Sequence, residues 1–407
     1  MQEVILAKDI NFICGAQTLG FELLRSSTLE LYEAGIFENL RALVFATRDL
    51  QGYATLINMG ILREEFSTSP LNSTSLLHQG RSQSVKEPVD RVYGLLGLMK
   101  ESVKKEVVVD YSAESRVQYW RAYISLAKLI IRSHHLALLM SAASEERPPQ
   151  LPSWVPNWNS RASTVAVGRH FHAGYHLNSK ILFEDNLIPN SDSIQARGFR
   201  IGTILGTSDL QYNNYKESKE LMSPEGLAAR ELTMMDEAYA LYQTVCHERE
   251  NILLRRFSRT LIADTVSPSG GFRNSDDHKY LQDTREDYVW YRAYLSDFKY
   301  MRRGTDSAIN QEKMRQNASP FARNLPTQWY NRSFFVTDSG RIGLCSRSCQ
   351  PGDIVCIFLG AKHTYVLRKV PDKSSFTLVS CAYTDEVMYG EALDKRDPAN
   401  DEMFIID

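Results

Sequence analysis

This sequence has no excess of either charge. Lys and Arg number 47, Asp and Glu 49, and the net charge is −2. A protein built mainly to neutralise phosphates needs a basic surplus, so nucleic-acid binding is not expected. Cysteine is sparse. Six residues, Cys14, Cys246, Cys345, Cys349, Cys356 and Cys381, are spread over 407 positions. That is too thin for a disulfide scaffold, and it points to a reducing compartment and a cytoplasmic protein. No window of about 18–20 residues is free of charge, which excludes a membrane-spanning helix. The opening MQEVILAKDINF has neither the basic start nor the unbroken apolar run of a secretory leader. The glycosylation-type triplets at Asn72, Asn317 and Asn331 therefore read as chance matches. No repeat of solenoid period is found.

What is present is the material of a globular α+β protein. Apolar residues make up 43% and charged residues 24%, enough for a packed core in two or three domains. Residues 1–147 read as mostly helical. An alternating stretch over 3–15 suggests a strand or short amphipathic turn, and two helices break near Gly35. A Ser/Thr-rich loop covers 67–84, and Val107–Val109 look extended. A long helix follows, capped by Ser112, with Val117, Trp120, Ile124, Ala127 and Ile131 as its buried stripe. Pro148, Pro149, Pro152 and Pro156 open a connector with short strands over 148–222. Residues 223–330 read as helical with flexible loops, including one helix over 224–265 with Met234, Ala238, Leu241, Val245 and Ile252 on one side. A second helix follows near 280–304. Four Val-, Ile-, Phe- and Tyr-rich runs over 331–393 predict a small β-barrel or meander, and TDSGRIG is a hairpin signal within it. Residues 394–407 form a tail.

Each chemically suggestive motif has a plain structural account. EPVDRVYGLLGL at 87–98 has G-x-x-G but not the first glycine of a dinucleotide loop, and no Walker lysine follows. Asp90 and Arg91 then read as a structural pair at a turn, with Val92, Leu95, Leu96 and Leu98 as core. His170 and His172 alternate, and His176 follows, but no Cys or carboxylate stands at a matching spacing, so no metal is expected. Cys345 and Cys349 lack a second zinc-ribbon pair. Cys356 and Cys381 sit in apolar strands and read as inert. Trp154 and Trp158 read as anchors for the proline-rich connector. Gly352 and Asp353 read as turn residues. Neither G-x-S-x-G nor H-E-x-x-H occurs. No cofactor is expected. An enzymatic alternative gathers Asp90, Arg91 and Glu391, because a charged pair inside an apolar stretch must be satisfied or used.

In their order, PVDRVYGLLGL, VDYS, LPSWVPNW, PGDIVCIFLGA, YVLRKV and VMYGEAL resemble the fungal heterokaryon-incompatibility (HET) domain proteins. The matching residues are Asp90, Arg91, Tyr93, Gly94, Leu95, Gly97, Asp110, Tyr111, Ser112, Pro152, Trp154, Pro156, Trp158, Gly352, Asp353, Leu367, Arg368, Gly390, Glu391 and Ala392. Gln2, Glu3, Cys14 and Gly15 are similar to the last element of that family's N-terminal HET module, itself similar to TIR domains. The resemblance implies that the chain corresponds to the family's C-terminal two thirds, with the N-terminal HET module itself missing, either by biology or through a truncated gene model. It also implies a non-enzymatic recognition or regulatory role in nonself recognition and programmed cell death, with a protein partner. A truncated or accessory member without effector activity is the alternative. A missing module predicts an exposed apolar patch around Val4–Ile13 and the first helices.

Overall fold

The computed structural model describes residues 1–33, 51–81, 83–142, 147–160, 171–176, 185–208, 224–264, 284–300, 321, 324–325, 328–329 and 331–407. The chain folds as two compact units: Met1–Ile130 with Trp158–Arg161, and Ile131–Asn157 with Ala162–Asp407.

The first unit opens with α1 (Gln2–Leu6), an antiparallel hairpin of β1 (Asn11–Cys14) and β2 (Gln17–Gly20), and α2 (Phe21–Glu33). The alternating stretch over 3–15 thus supplies both a helical turn and a strand. The break expected near Gly35 lies outside the described residues. Arg63, on α3 (Gln51–Thr68), donates to the main-chain oxygens of Val4 (2.8 Å), Ala7 and Lys8 (2.8 Å). It thereby satisfies carbonyls that the end of α1 leaves open. The apolar patch expected here is met only in part: Ile5 and Phe21 are buried and Val4 and Ile10 half-buried, while other apolar side chains are open. Ile13 is 77% exposed and Leu23 60%, with Leu6, Phe12, Leu19 and Leu31 also exposed.

The Ser/Thr-rich loop expected over 67–84 contains a helix instead, α4 (Ser73–Gly80). Asn72 caps it by accepting the Ser75 N–H at 3.2 Å, and Leu76 and Leu77 anchor it in the core. The single-turn helix α5 (Asp90–Tyr93), a 3-10 turn at Leu96–Leu98 and α6 (Glu101–Glu106) follow. The long helix expected from Ser112 is two. Ser112 caps α7 (Ala113–Val117) through the Ser115 N–H, but Gln118 leaves helical geometry (φ −98°, ψ 40°) and α8 (Trp120–His134) starts afresh. The interruption resets the helical phase. Val117 is therefore exposed, while Tyr123, Leu126, Ala127, Ile130 and Ile131 form the buried face.

The second unit is an antiparallel sheet with a helical layer. Its strands are β3 (Ile194–Thr207), β4 (Arg332–Thr337), β5 (Ile342–Ser346), β6 (Ile354–Phe358), β7 (Thr364–Lys369), β8 (Phe376–Thr384) and β9 (Glu402–Ile406). Neighbours run β4-β5-β8-β7-β6-β3, and β3 also pairs with β4, so six strands close a barrel. One cluster confirms the closure. Ile204, Phe335, Cys345, Val355, Val366 and Ala382 come one from each of the six strands and pack together as the interior. Strand β3 reaches two partners because it bends at irregularities between Arg200 and Gly202 and between Ile204 and Gly206. A Cβ on Gly198 would stand 2.2 Å from the Ile357 carbonyl oxygen, so this crossing requires glycine. Strands β3 and β9 come from outside 331–393, and β9 extends the sheet along β3.

Helices α9 (Pro224–Gln243), α10 (Glu250–Leu261) and α11 (Arg285–Tyr300) form the covering layer. The single helix expected over 224–265 is broken at 244–249, so Ile252 is exposed rather than aligned with Met234 and Ala238. Phe334, Val336, Ile342 and Leu344 pack against Ala238, Tyr242, Phe257, Leu261 and Tyr288. Alternate residues of β4 therefore serve two cores, Phe335 inward and its neighbours outward. Each such side chain contributes about 1.5–3 kcal/mol through burial. The fold class is α+β, as the sequence predicts.

Candidate functional site

In the first unit the motif DRVYGLLGL is a hub for main-chain groups. Val89, Val92, Leu98 and Met99 are fully buried. Arg91 is also buried, and its Nη1 donates to the carbonyls of Gly80 (2.7 Å) and Gln83. It thus joins the end of α4 to α5. Asp90 faces the other way and accepts the Tyr111 hydroxyl at 2.7 Å, so two of the sequence motifs meet in one hydrogen bond. Tyr93 meets the Tyr111 ring edge-on at 5.4 Å. The pairing expected of Asp90 with Arg91 gives way to these longer-range partners. A Cβ on Gly94 would lie 2.8 Å from the Asp90 carbonyl oxygen, and one on Gly97 would meet the Gln2 side chain. Trp158 packs edge-on against Tyr123 at 5.1 Å, and the Tyr123 hydroxyl donates to the Pro88 carbonyl at 2.8 Å.

In the second unit residues 151–157 of LPSWVPNW are shaped by a residue just before them. Arg147 donates to the carbonyls of Leu151 (3.5 Å), Val155 (2.8 Å), Pro152 and Ala142. Burial pulls its pKa down to about 10, so the guanidinium remains a cation among carbonyl dipoles. Trp154 is fully buried and its indole N–H donates to the Asp192 carbonyl at 2.7 Å. Pro156 follows in the same buried loop. Ser153 takes the Leu378 N–H on its hydroxyl at 2.8 Å and gives its own N–H to the Asp407 carbonyl at 2.9 Å.

The turn residues of the β6 entrance do more than turn. Gly352 has φ +92°, and Asp353 is buried as the acid of a bidentate pair: Arg368 Nε and Nη2 approach its two oxygens at 2.8 and 2.9 Å. The matched Asp353 and Arg368 are thus partners. Gly390 has φ +87° and fits between His172 and His176, each with a ring nitrogen about a van der Waals contact from where a Cβ would be. Glu391 starts α12 (Glu391–Asp394) and accepts the Tyr389 N–H at 2.8 Å. Asp90 and Arg91 belong to the first unit and Glu391 to the second.

A cluster the sequence reading missed lies between α10 and the end of β8. Asp385 is fully buried and accepts Arg256 Nε at 2.9 Å on one oxygen and Arg259 Nε at 3.0 Å on the other, with Arg259 Nη2 closing a second contact. Glu248 and Glu386 each stand 3.5 Å from Arg256. Burial pulls both guanidinia down, but Asp385 and the surrounding anions and phenols outweigh it and hold both above the usual range. Beside it, Tyr389 donates to Asp264 at 2.7 Å. Left-handed backbone collects here, at Ala263, Asp264, Glu386 and Gly390. The signal was available: Arg256 and Arg259 are three apart on α10 and share a face.

Among the described residues no three His, Cys, Asp or Glu stand together to hold a metal ion. His170 lies outside the described residues, and His172 sits in a turn with its Nδ1 3.1 Å from the Tyr175 carbonyl. Cys349, Cys356 and Cys381 are buried free thiols, and burial pushes each pKa up. No described helix is long and apolar enough to cross a membrane.

Residues 194–406, just over half of the chain, match the Het-6 beta-barrel domain family. Heterokaryon incompatibility protein 6, OR allele, of Neurospora crassa is 24% identical over 439 residues, an alignment covering 97% of this chain and 64% of that protein. The chain therefore spans less than two thirds of the relative's length. No solved structure matches.

Proposed function

Because the chain belongs to the Het-6 beta-barrel domain family, we propose that it is a heterokaryon-incompatibility protein that works by binding. It would be a recognition or regulatory component of the cytoplasm, engaging a protein partner in fungal nonself recognition and programmed cell death. The observation that carries this reading is the family match over the barrel, extended by the relative's alignment across nearly the whole chain. The chemistry of the charged residues in and around the motifs supports it. Arg91, Arg147 and Glu391 hold main-chain groups, and Asp353 and Asp385 hold arginines. Side chains so engaged build a scaffold, and a scaffold acts through its surface.

The test is genetic. The gene is deleted and the strain paired with partners that normally react against it. The expected result is loss of the reaction in at least one pairing and its return when the gene is restored. An unchanged reaction in every allelic combination overturns the proposal.

A further inference from the structure

We infer that the segment Val107–Tyr111 is a strand-pairing site through which two copies of this chain associate. The segment joins α6 to α7 and opens on extended Val107 (φ −87°, ψ 114°). The main-chain N–H and C=O groups of Val108, Val109 and Asp110 have no hydrogen-bond partner among the described residues. Three consecutive valines are strong strand formers. Val108 is 82% exposed, more than any other exposed large apolar side chain of the described residues, and Val109, Tyr111 and Val117 are exposed around it. Unpaired backbone beside β-branched side chains is a template for another strand.

Two features hold the segment ready. The Tyr111 hydroxyl is tied to Asp90, and the Asp110 carboxylate accepts the Ser112 N–H at 2.8 Å and its hydroxyl at 3.1 Å. Both ends are therefore fixed, and less conformational freedom is lost on pairing.

Charge selects a second copy as the occupant. Lys104 and Lys105 precede the valines, and Glu114 follows them; within the chain Lys104 stands 3.5 Å from Glu101 and Glu114 3.4 Å from Arg121, surface pairs weak enough to be exchanged on association. An antiparallel, two-fold arrangement centred on Val109 sets Val107 against Tyr111 and brings the Lys104–Lys105 end of each copy beside Glu114 of the other. Both contacts then occur twice. Asp110 is turned back onto Ser112 and so presents no free acid to the facing valine.

The experiment is sedimentation of the full chain over a concentration series. The wild type is expected to move towards twice the 46.4 kDa chain mass, less so at high salt. Val109→Pro is expected to remain at the single-chain mass, because a proline at the centre of the paired segment takes a donor from it and disrupts the ladder. The Val109 N–H has no partner among the described residues, so the variant keeps its circular dichroism spectrum. Lys104→Glu is expected to weaken association, and Lys104→Glu with Glu114→Lys in one chain to restore it. A monomeric wild type at every concentration overturns the inference. So does a dimer that Val109→Pro leaves intact.

Discussion

Asp385 carries more of the second unit than its size suggests. It is an acid with no solvent exposure, shared by two arginines of α10. Removing it leaves two buried guanidinia without their shared carboxylate. Breaking a buried pair in this way costs about 3–5 kcal/mol, well above an ordinary surface change. Asp385→Ala is therefore expected to lower the urea midpoint of the second unit sharply. Loss of less than about 1 kcal/mol, the range of exposed pairs, would show that the cluster is not held as described. Tyr111 gives a subtler test at the same scale. Its hydrogen bond to Asp90, then burial and the Asp90 charge, push its phenol pKa up to about 12. The folded state thus keeps the proton longer than the unfolded chain does. The stabilisation is complete below the ordinary tyrosine value of about 10 and is lost as the pH rises through the folded value. Ultraviolet difference titration against Tyr111→Phe is expected to show one phenol ionising late, and Asp90→Asn is expected to bring it down. A phenol titrating at the ordinary value in the wild type would remove Asp90–Tyr111 as a contact.

Elements show what a sequence can and cannot disclose. The hairpin at TDSGRIG and the four β runs were legible because strand alternation and turn glycines are local signals. The barrel's closure was not. It depends on β3 bending to meet β4 across more than a hundred residues. Helix α4 was hidden for another reason: Ser and Thr also favour loops, and only the Asn72 cap and the buried Leu76–Leu77 pair tip the balance. Asn72→Ala is expected to cost about 1 kcal/mol, measurable by thermal unfolding. The motifs were legible as markers, but their work was not. LPSWVPNW shows its tryptophans plainly, yet the residue that folds the loop is Arg147, outside the motif. Hydrogen bonds from a charged donor are worth about 1.5–3 kcal/mol each at most, and their acceptors would be left buried. Arg147→Ala is expected to destabilise the second unit by about 3 kcal/mol and to shift tryptophan emission to the red as Trp154 meets water. Arg147→Lys, with fewer donors, is expected to fall between. Unchanged emission in Arg147→Ala would separate the loop from its arginine.

At the scale of the molecule, the family match begins at Ile194, but the folded unit does not. Segments before it complete the barrel. Ser153 satisfies the Leu378 N–H and reaches the Asp407 carbonyl. The 171–174 strap exchanges main-chain hydrogen bonds with the β6–β7 connection: Ala173 N–H to Lys362 O, Gly174 N–H to Ala361 O, and Gly360 N–H back to Gly174 O. Phe171 lies in the core shared by helices and sheet, and Ala173 in the cluster with Phe199 and Ile357. A chain cut at Ile194 would therefore expose apolar surface and strand backbone that these segments cover, both routes to aggregation. The two truncations 131–407 and 194–407 are expected to differ. The longer should unfold cooperatively with native near-ultraviolet circular dichroism, and the shorter should aggregate or lose that signal. Equal melting temperatures and equal spectra would mean that the barrel closes without its strap, and that the preceding residues decorate the unit rather than belong to it.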